Sequence, residues 1–232
     1  MKIQVGIIAA MEEECKGLIK LMQDRRETQM GAYSFHTGLL EGKSVCLLQC
    51  GIGKVNAAVG TALMIHTWHP ASILNTGVAG GFLSSLKIGD IVLSTEVLHH
   101  DVDVTIFDYK IGQLPGEPES YKADKDLLRK ASALSPRDPA IHLIPGKIAS
   151  GDIFVHKDEQ IQKIRKDFSD VTAVEMESAA IAQVCHSFKT PFLIIRAISD
   201  VTGDEENHVS YDEFMPIAAK NSIDMVQKIL KQ

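Results

Sequence analysis

Phe192-Leu193-Ile194-Ile195-Arg196-Ala197-Ile198-Ser199-Asp200 is the stretch that decides the fold. Its apolar run is so rich in β-branched residues that it reads as a buried strand. That strand ends on a carboxylate. In open α/β sheets the ligand crevice lies at the carboxyl ends of the strands, which makes Arg196 and Asp200 the first candidates for chemistry.

Outward from this strand, Ile3 to Ala10 reads as a second buried strand. Glu12 to Met22 then has helical spacing, with acidic residues in the first turn where the helix dipole favours them. Tyr33 to Leu40 and Ser44 to Cys50 flank the turn signal Glu41-Gly42-Lys43 and predict an antiparallel hairpin. Gly51-Ile52-Gly53 breaks the pattern before a helix from about Lys54 to His66, and Ser72 to Thr76 is a short strand running into the glycine-rich Gly77 to Gly81. Asp90 to Leu98 predicts a strand, Asp101 to about Lys122 a long functional loop, and Asp124 to Ala133 a helix. A strand from His142 to Ala149, a helical pattern through Ile161, Ile164 and Phe168, a strand from Ala173 to Met176, a helix from Glu177 to Phe188 and a last helix from about Asp212 to Leu230 complete the pattern. Strands alternating with helices predict a three-layer α/β/α sandwich with a central mixed, mostly parallel sheet.

The 232 residues, 45% hydrophobic, suit one core, and residues 1–232 are expected to form one domain. A net charge of -6 opposes the counterion release that drives nucleic-acid binding, so nucleic acid is not an expected partner. Four scattered cysteines without a CxxC pair fit a reducing cytoplasm. Glu12-Glu13-Glu14 stands where a signal peptide would be cleaved, and no apolar run approaches the ~20 residues needed to span a bilayer, so no membrane partner is expected.

Familiar nucleotide motifs fail. Around Gly53-Lys54 a phosphate loop would need glycine in place of Leu48 and a hydroxyl in place of Val55. The dinucleotide fingerprint meets Asn56 where its third glycine belongs. No G-x-S-x-G elbow is present. His99, His100, Asp101 and Asp103 make the one plausible metal cluster, and the favoured reading of them is a hydrated strand end leading into the long loop. Asp204, Glu205 and Glu206 read as a solvated acidic loop.

Three carboxylates hold comparable places, each just beyond a strand: Glu14, Glu177 and Asp200. A parallel sheet brings such positions to one rim, either for joint catalysis or as ordinary capping and surface acids.

Six segments then occur in register: Ala10-Met11-Glu12-Glu13-Glu14, Gly51-Ile52-Gly53-Lys54-Val55, Asn75-Thr76-Gly77-Val78-Ala79-Gly80-Gly81, Ser150-Gly151-Asp152, Val174-Glu175-Met176-Glu177 and Arg196-Ala197-Ile198-Ser199-Asp200. Together they strongly resemble the 5'-methylthioadenosine/S-adenosylhomocysteine nucleosidases of the nucleoside phosphorylase superfamily. The resemblance implies that fold, and hydrolysis of the N-ribosidic bond of methylthioadenosine, adenosylhomocysteine and 5'-deoxyadenosine without cofactor or metal. Methionine salvage is the implied setting.

By resemblance, Asp200 is the proton donor to adenine N7, oriented by Ser199, and Glu14 is the base that activates water. Arg196 lies near that water and the ribose, where its charge can hold Glu14 or Glu177 ionised. Glu177 accepts the ribose hydroxyls, and Met176 lies against the sugar. Phe154 stacks on adenine, the Val155 backbone reads its edge, and Ile52 and Tyr211 line the thioalkyl pocket. Val104, Phe107, Tyr109 and Pro115 match loop positions that reach a neighbouring subunit's site, which implies a homodimer. At Val78 some members carry a serine that helps hold the water, and Tyr211 stands where phenylalanine also occurs. Hydrolysis of aminodeoxyfutalosine in menaquinone synthesis is the alternative. A phosphorylase is the more distant one, because the acid-rich rim lacks the arginines a phosphate dianion needs.

Overall fold

The computed structural model describes residues 2–83, 85–201 and 207–232. The acidic triplet Asp204, Glu205 and Glu206 lies outside them.

Ten strands can be followed in chain order: β1 (Val5–Ala9), β2 (Gln23–Met30), β3 (Tyr33–Leu40), β4 (Lys43–Gln49), β5 (Ser72–Gly81), β6 (Ile91–His99), β7 (Tyr121–Lys122), β8 (Leu143–Ser150), β9 (Val171–Glu175) and β10 (Phe192–Val201). The helices are α1 (Glu12–Leu21), α2 (Lys54–Trp68), α3 (Lys125–Ser132), α4 (Asp158–Asp167), α5 (Ser178–Phe188) and α6 (Asn207–Leu230). The decisive run forms β10, buried from Phe192 to Asp200.

β4, β1, β5 and β10 lie side by side and parallel. β3 and β2 extend the sheet antiparallel beyond β4, as the hairpin pattern predicts for β3. On the other side β10 pairs antiparallel with β6, β6 and β8 run parallel, and so do β8 and β9. α1 and α6 pack on each other and on the sheet, as α2 and α5 do. The central strands β1, β4 and β10 are buried almost throughout, as a sheet covered on both faces requires. The fold is the expected mixed α/β sandwich.

Two features depart from the sequence pattern. β2 was not foreseen, because Gln23 to Gln29 are polar and exposed and carry no period-2 apolar signal. It is an edge strand whose charged surface discourages further pairing. β5, in turn, does not stop at Thr76 but continues through the glycine-rich Gly77 to Gly81.

That extension shapes the site. Along one edge of β5, Ser72 to Asn75 pair with β1, whereas Gly80 and Gly81 pair antiparallel with β9. β5, β10, β6, β8 and β9 thereby close into a ring, and the sheet forks between residues 76 and 79. A fork frees backbone groups at the carboxyl ends of β1 and β9, the kind of topological switch point where α/β proteins hold ligands.

Candidate active site

A cavity of about 300 Å³ opens at this fork. Its lining includes Glu14, Glu177 and Asp200, so the three carboxylates that lie far apart in the chain meet in one place. Each is at most 5% exposed.

Glu14 sits on the first turn of α1 and reaches back over the helix N-terminus. Its Oε2 accepts the backbone N–H of Ala10 at 2.9 Å and of Met11 at 3.0 Å, the reciprocal half of a capping box. Its Oε1 accepts the N–H of Val78 at 3.0 Å, a group within the fork of β5. Burial raises the Glu14 carboxyl above its ordinary range, against the pull of Arg196 and of these three amides. Gly77 explains the glycine run: a Cβ there would stand 2.0 Å from Arg196 Nη1 and 2.6 Å from Glu14 Oε1. Only a bare backbone leaves both side chains their places.

Glu177 precedes α5 and points across to α2, where its Oε1 accepts the N–H of Gly53 at 2.8 Å. Gly53 holds φ at +95°, a backbone conformation that favours glycine. Burial and the neighbouring Glu175 charge push the Glu177 carboxyl up to about 7, although Arg196 and Gly53 oppose them.

Arg196 does not line the cavity. It is 1% exposed and lies behind the wall, donating from Nη2 to Asn75 Oδ1 at 2.8 Å, to Ser178 Oγ at 3.1 Å and to Glu175. Glu177 is 3.7 Å away. Its first carboxylate partner is thus Glu175, to which the sequence reading assigned no role. Ser150 Oγ, Ser178 Oγ and the N–H groups of Glu177 and Ser178 also donate to Glu175. Burial works against the Glu175 charge, but Arg196 and the two serines outweigh it and hold the carboxyl below its ordinary range. The one available sequence signal was its place at a strand's carboxyl end.

Asp200 enters from β10. Between Ile198 and Asp200 the register against β5 shifts, so Ser199 is an inserted residue. In a regular strand successive side chains face opposite ways, whereas this bulge lets Ser199 and Asp200 both line the cavity. Ser199 Oγ donates to Asp200 Oδ1 at 2.8 Å. Burial nevertheless raises the Asp200 carboxyl above its ordinary range.

The remaining walls are apolar. Ile52, Val78, Phe154, Val155, Met176 and Tyr211 all line the cavity, joined by Met11 and Ile153, which sequence reasoning did not single out. Phe154 and Tyr211 meet edge to face, 5.7 Å between ring centres, and Tyr211 Oη contacts Met11 Sδ at 3.4 Å. Val104, Phe107, Tyr109 and Pro115 are absent from the lining; Phe107 is 70% exposed. Asp101 is held by Lys54 Nζ at 2.6 Å, Asp103 caps Thr105, and His99 and His100 are buried. The two histidines are packed inside while Asp101 and Asp103 stay exposed at the strand end, and no metal-holding group of three or more His, Cys, Asp or Glu occurs among the described residues.

Residues 4–231 match the family described as Phosphorylase superfamily, which defines the class of protein. Within it, the chain is 46% identical over 230 residues to the 5'-methylthioadenosine/S-adenosylhomocysteine nucleosidase of Bacillus subtilis (strain 168), covering 99% of each chain. The solved nucleosidase of Neisseria meningitidis, in complex with methylthio-immucillin-A, superposes with a TM-score of 0.95 at 46% identity, covering 100% of this chain and 99% of that one. The Colwellia psychrerythraea enzyme, in complex with adenine, gives 0.95 at 44% identity, covering 99% and 95%. The chain belongs to the 5'-methylthioadenosine/S-adenosylhomocysteine nucleosidase family.

Proposed function

We propose that this protein hydrolyses the N-ribosidic bond of methylthioadenosine and adenosylhomocysteine, releasing adenine and the 5-thio-substituted ribose. The observation that carries the reading is one cavity with a raised aspartic acid on β10 and an amide-held glutamate on α1. Cleavage leaves the C1'–N9 electron pair on the purine and positive charge on the sugar. Asp200, whose protonated form burial favours, gives its proton to N7, while Glu14 takes a proton from the water whose oxygen bonds to C1'. An acid and a base working in unlike states follow the logic of glycosidases.

Glu177 receives the ribose hydroxyls and favours the sugar's cationic form, with Met176 against the ring. Phe154 and Val155 hold adenine, and Ile52 and Tyr211 hold the thioether tail, which prefers apolar walls. Water is the attacker rather than phosphate. Among the described residues that line the cavity there is no lysine, arginine or histidine to hold a phosphate dianion, and an ionised Glu14 would repel one.

The exposed Ile106, Phe107 and Pro115 support a homodimer in which this loop completes the neighbouring site. Four free, buried cysteines support a reducing compartment.

The test incubates the protein with methylthioadenosine, adenosylhomocysteine, 5'-deoxyadenosine and aminodeoxyfutalosine, with and without phosphate. Adenine is expected from the first two at phosphate-independent rates. Phosphate-dependent release would overturn the reading, and release from aminodeoxyfutalosine alone would replace the substrate.

A further inference from the structure

We infer that Glu175 is a positioning residue of this site: it takes up the charge of Arg196 and so leaves Glu14 free to act as base toward water. The inference rests on the hydrolytic reading above. Three glutamates surround one buried guanidinium, and they do not share it equally. Arg196 Nη2 bonds Glu175, together with Asn75 Oδ1 and Ser178 Oγ, and stands 3.7 Å from Glu177. Glu14 takes its hydrogen bonds from three backbone N–H groups instead.

The arrangement has a chemical consequence. A general base bonded directly to arginine is a weak base, because the opposite charge favours its ionised form over the protonated one. Committing Arg196 to Glu175 keeps the guanidinium close enough to orient the site without quenching Glu14. Glu175 is fitted to the task by Ser150 Oγ, Ser178 Oγ and the N–H groups of Glu177 and Ser178, which keep it ionised and fixed. The same carboxylate also anchors the turn from β9 into α5 that carries Met176 and Glu177 into the cavity.

Other titratable groups facing this cluster are Cys15 on α1, Cys50 before α2, Asp200 on β10, Tyr211 on α6, and His99 and His100 at the end of β6. Burial raises the thiols and the phenol and lowers the imidazoles, so it favours the neutral form of all five. The acid limb is assigned to the carboxylates.

The experiment compares pH profiles of methylthioadenosine hydrolysis for the wild type and Glu175→Gln, which keeps size while removing charge. With Arg196 no longer neutralised, the acid limb of kcat/KM is expected to fall by about 1 pH unit and kcat by about tenfold or more. An acid limb at its wild-type position would overturn the inference. Should the single variant fold but be too unstable to assay, its melting temperature is compared with that of Glu175→Gln/Arg196→Gln. The double variant is expected to be the more stable, because a lone buried charge costs more than a missing pair; a double variant no more stable than the single one would overturn the pairing. Wild type assayed alongside separates the two readings. No adenine from wild type sinks hydrolysis itself, whereas normal wild-type release with an unmoved limb sinks only the role of Glu175.

Discussion

The backbone N–H of Val78 donates to Oε1 of Glu14 at 3.0 Å, across the fork where β1 has left β5 and β9 has not yet joined it. A peptide group, rather than a side chain, orients Glu14, the proposed base. The contact to Glu14 does not depend on the side chain at residue 78.

Glu14→Gln tests the base directly. All three hydrogen bonds to Glu14 come from N–H donors, so an amide NH2 must face at least one of them. The expected outcome is a loss of turnover of about 10² to 10⁴ fold with adenine affinity within about tenfold, and a stability cost of about 1–3 kcal/mol. Steady-state adenine release and thermal melting check both, and normal turnover would show that another group prepares the water.

At Asp200 two substitutions act in opposite senses. Asp200→Asn removes the proposed proton donor and should cost about 10² to 10⁴ fold in kcat while substrate still binds. Ser199→Ala removes the hydrogen bond that favours the ionised carboxylate, so Asp200 should hold its proton to higher pH and the alkaline limb of kcat should move upward. A downward shift would contradict the assigned donor.

Gly77→Ala is expected to be severe although it adds one methyl group. The Cβ would lie 2.0 Å from Arg196 Nη1 and 2.6 Å from Glu14 Oε1, both buried and hydrogen-bonded. A destabilisation of about 1–3 kcal/mol should accompany loss of most activity. Wild-type melting and turnover together would mean that these side chains are not held at β5.

Glu177 makes stability depend on pH. Its carboxyl moves from 4.5 to about 7 on folding, so between those values the folded state binds more protons than the unfolded chain. Stability from this group is therefore fully present below about pH 4.5 and is lost as pH rises through about 7. Glu177→Gln cannot lose a proton there. Its melting temperature relative to wild type should be higher at pH 8 than at pH 5, and a pH-independent difference would speak against the shift.

Much of this was legible in the sequence because burial and chemistry coincided there. β1 and β10 announce themselves as β-branched runs, and Glu14, Glu177 and Asp200 stand at the ends where a parallel sheet presents its residues. β2 was not legible: polar and exposed, it is a strand only because β3 offers an edge to pair with. Gly77 to Gly81 read as the place where the strand ends because glycine weakens a strand, yet Gly77 makes room within it for Glu14 and Arg196. Glu175 was passed over for a related reason. A buried carboxylate takes its meaning from partners at positions 150, 178 and 196, and no local pattern records them.

The claim on which the mechanism depends is that solvent, activated by Glu14 opposite a protonated Asp200, attacks C1'. Hydrolysis of methylthioadenosine in oxygen-18-enriched water with phosphate present, followed by mass spectrometry of the sugar, measures it. The account predicts one heavy oxygen per thioribose in proportion to the enrichment of the water, and no sugar phosphate. A thioribose 1-phosphate, or a sugar without the label, would contradict it.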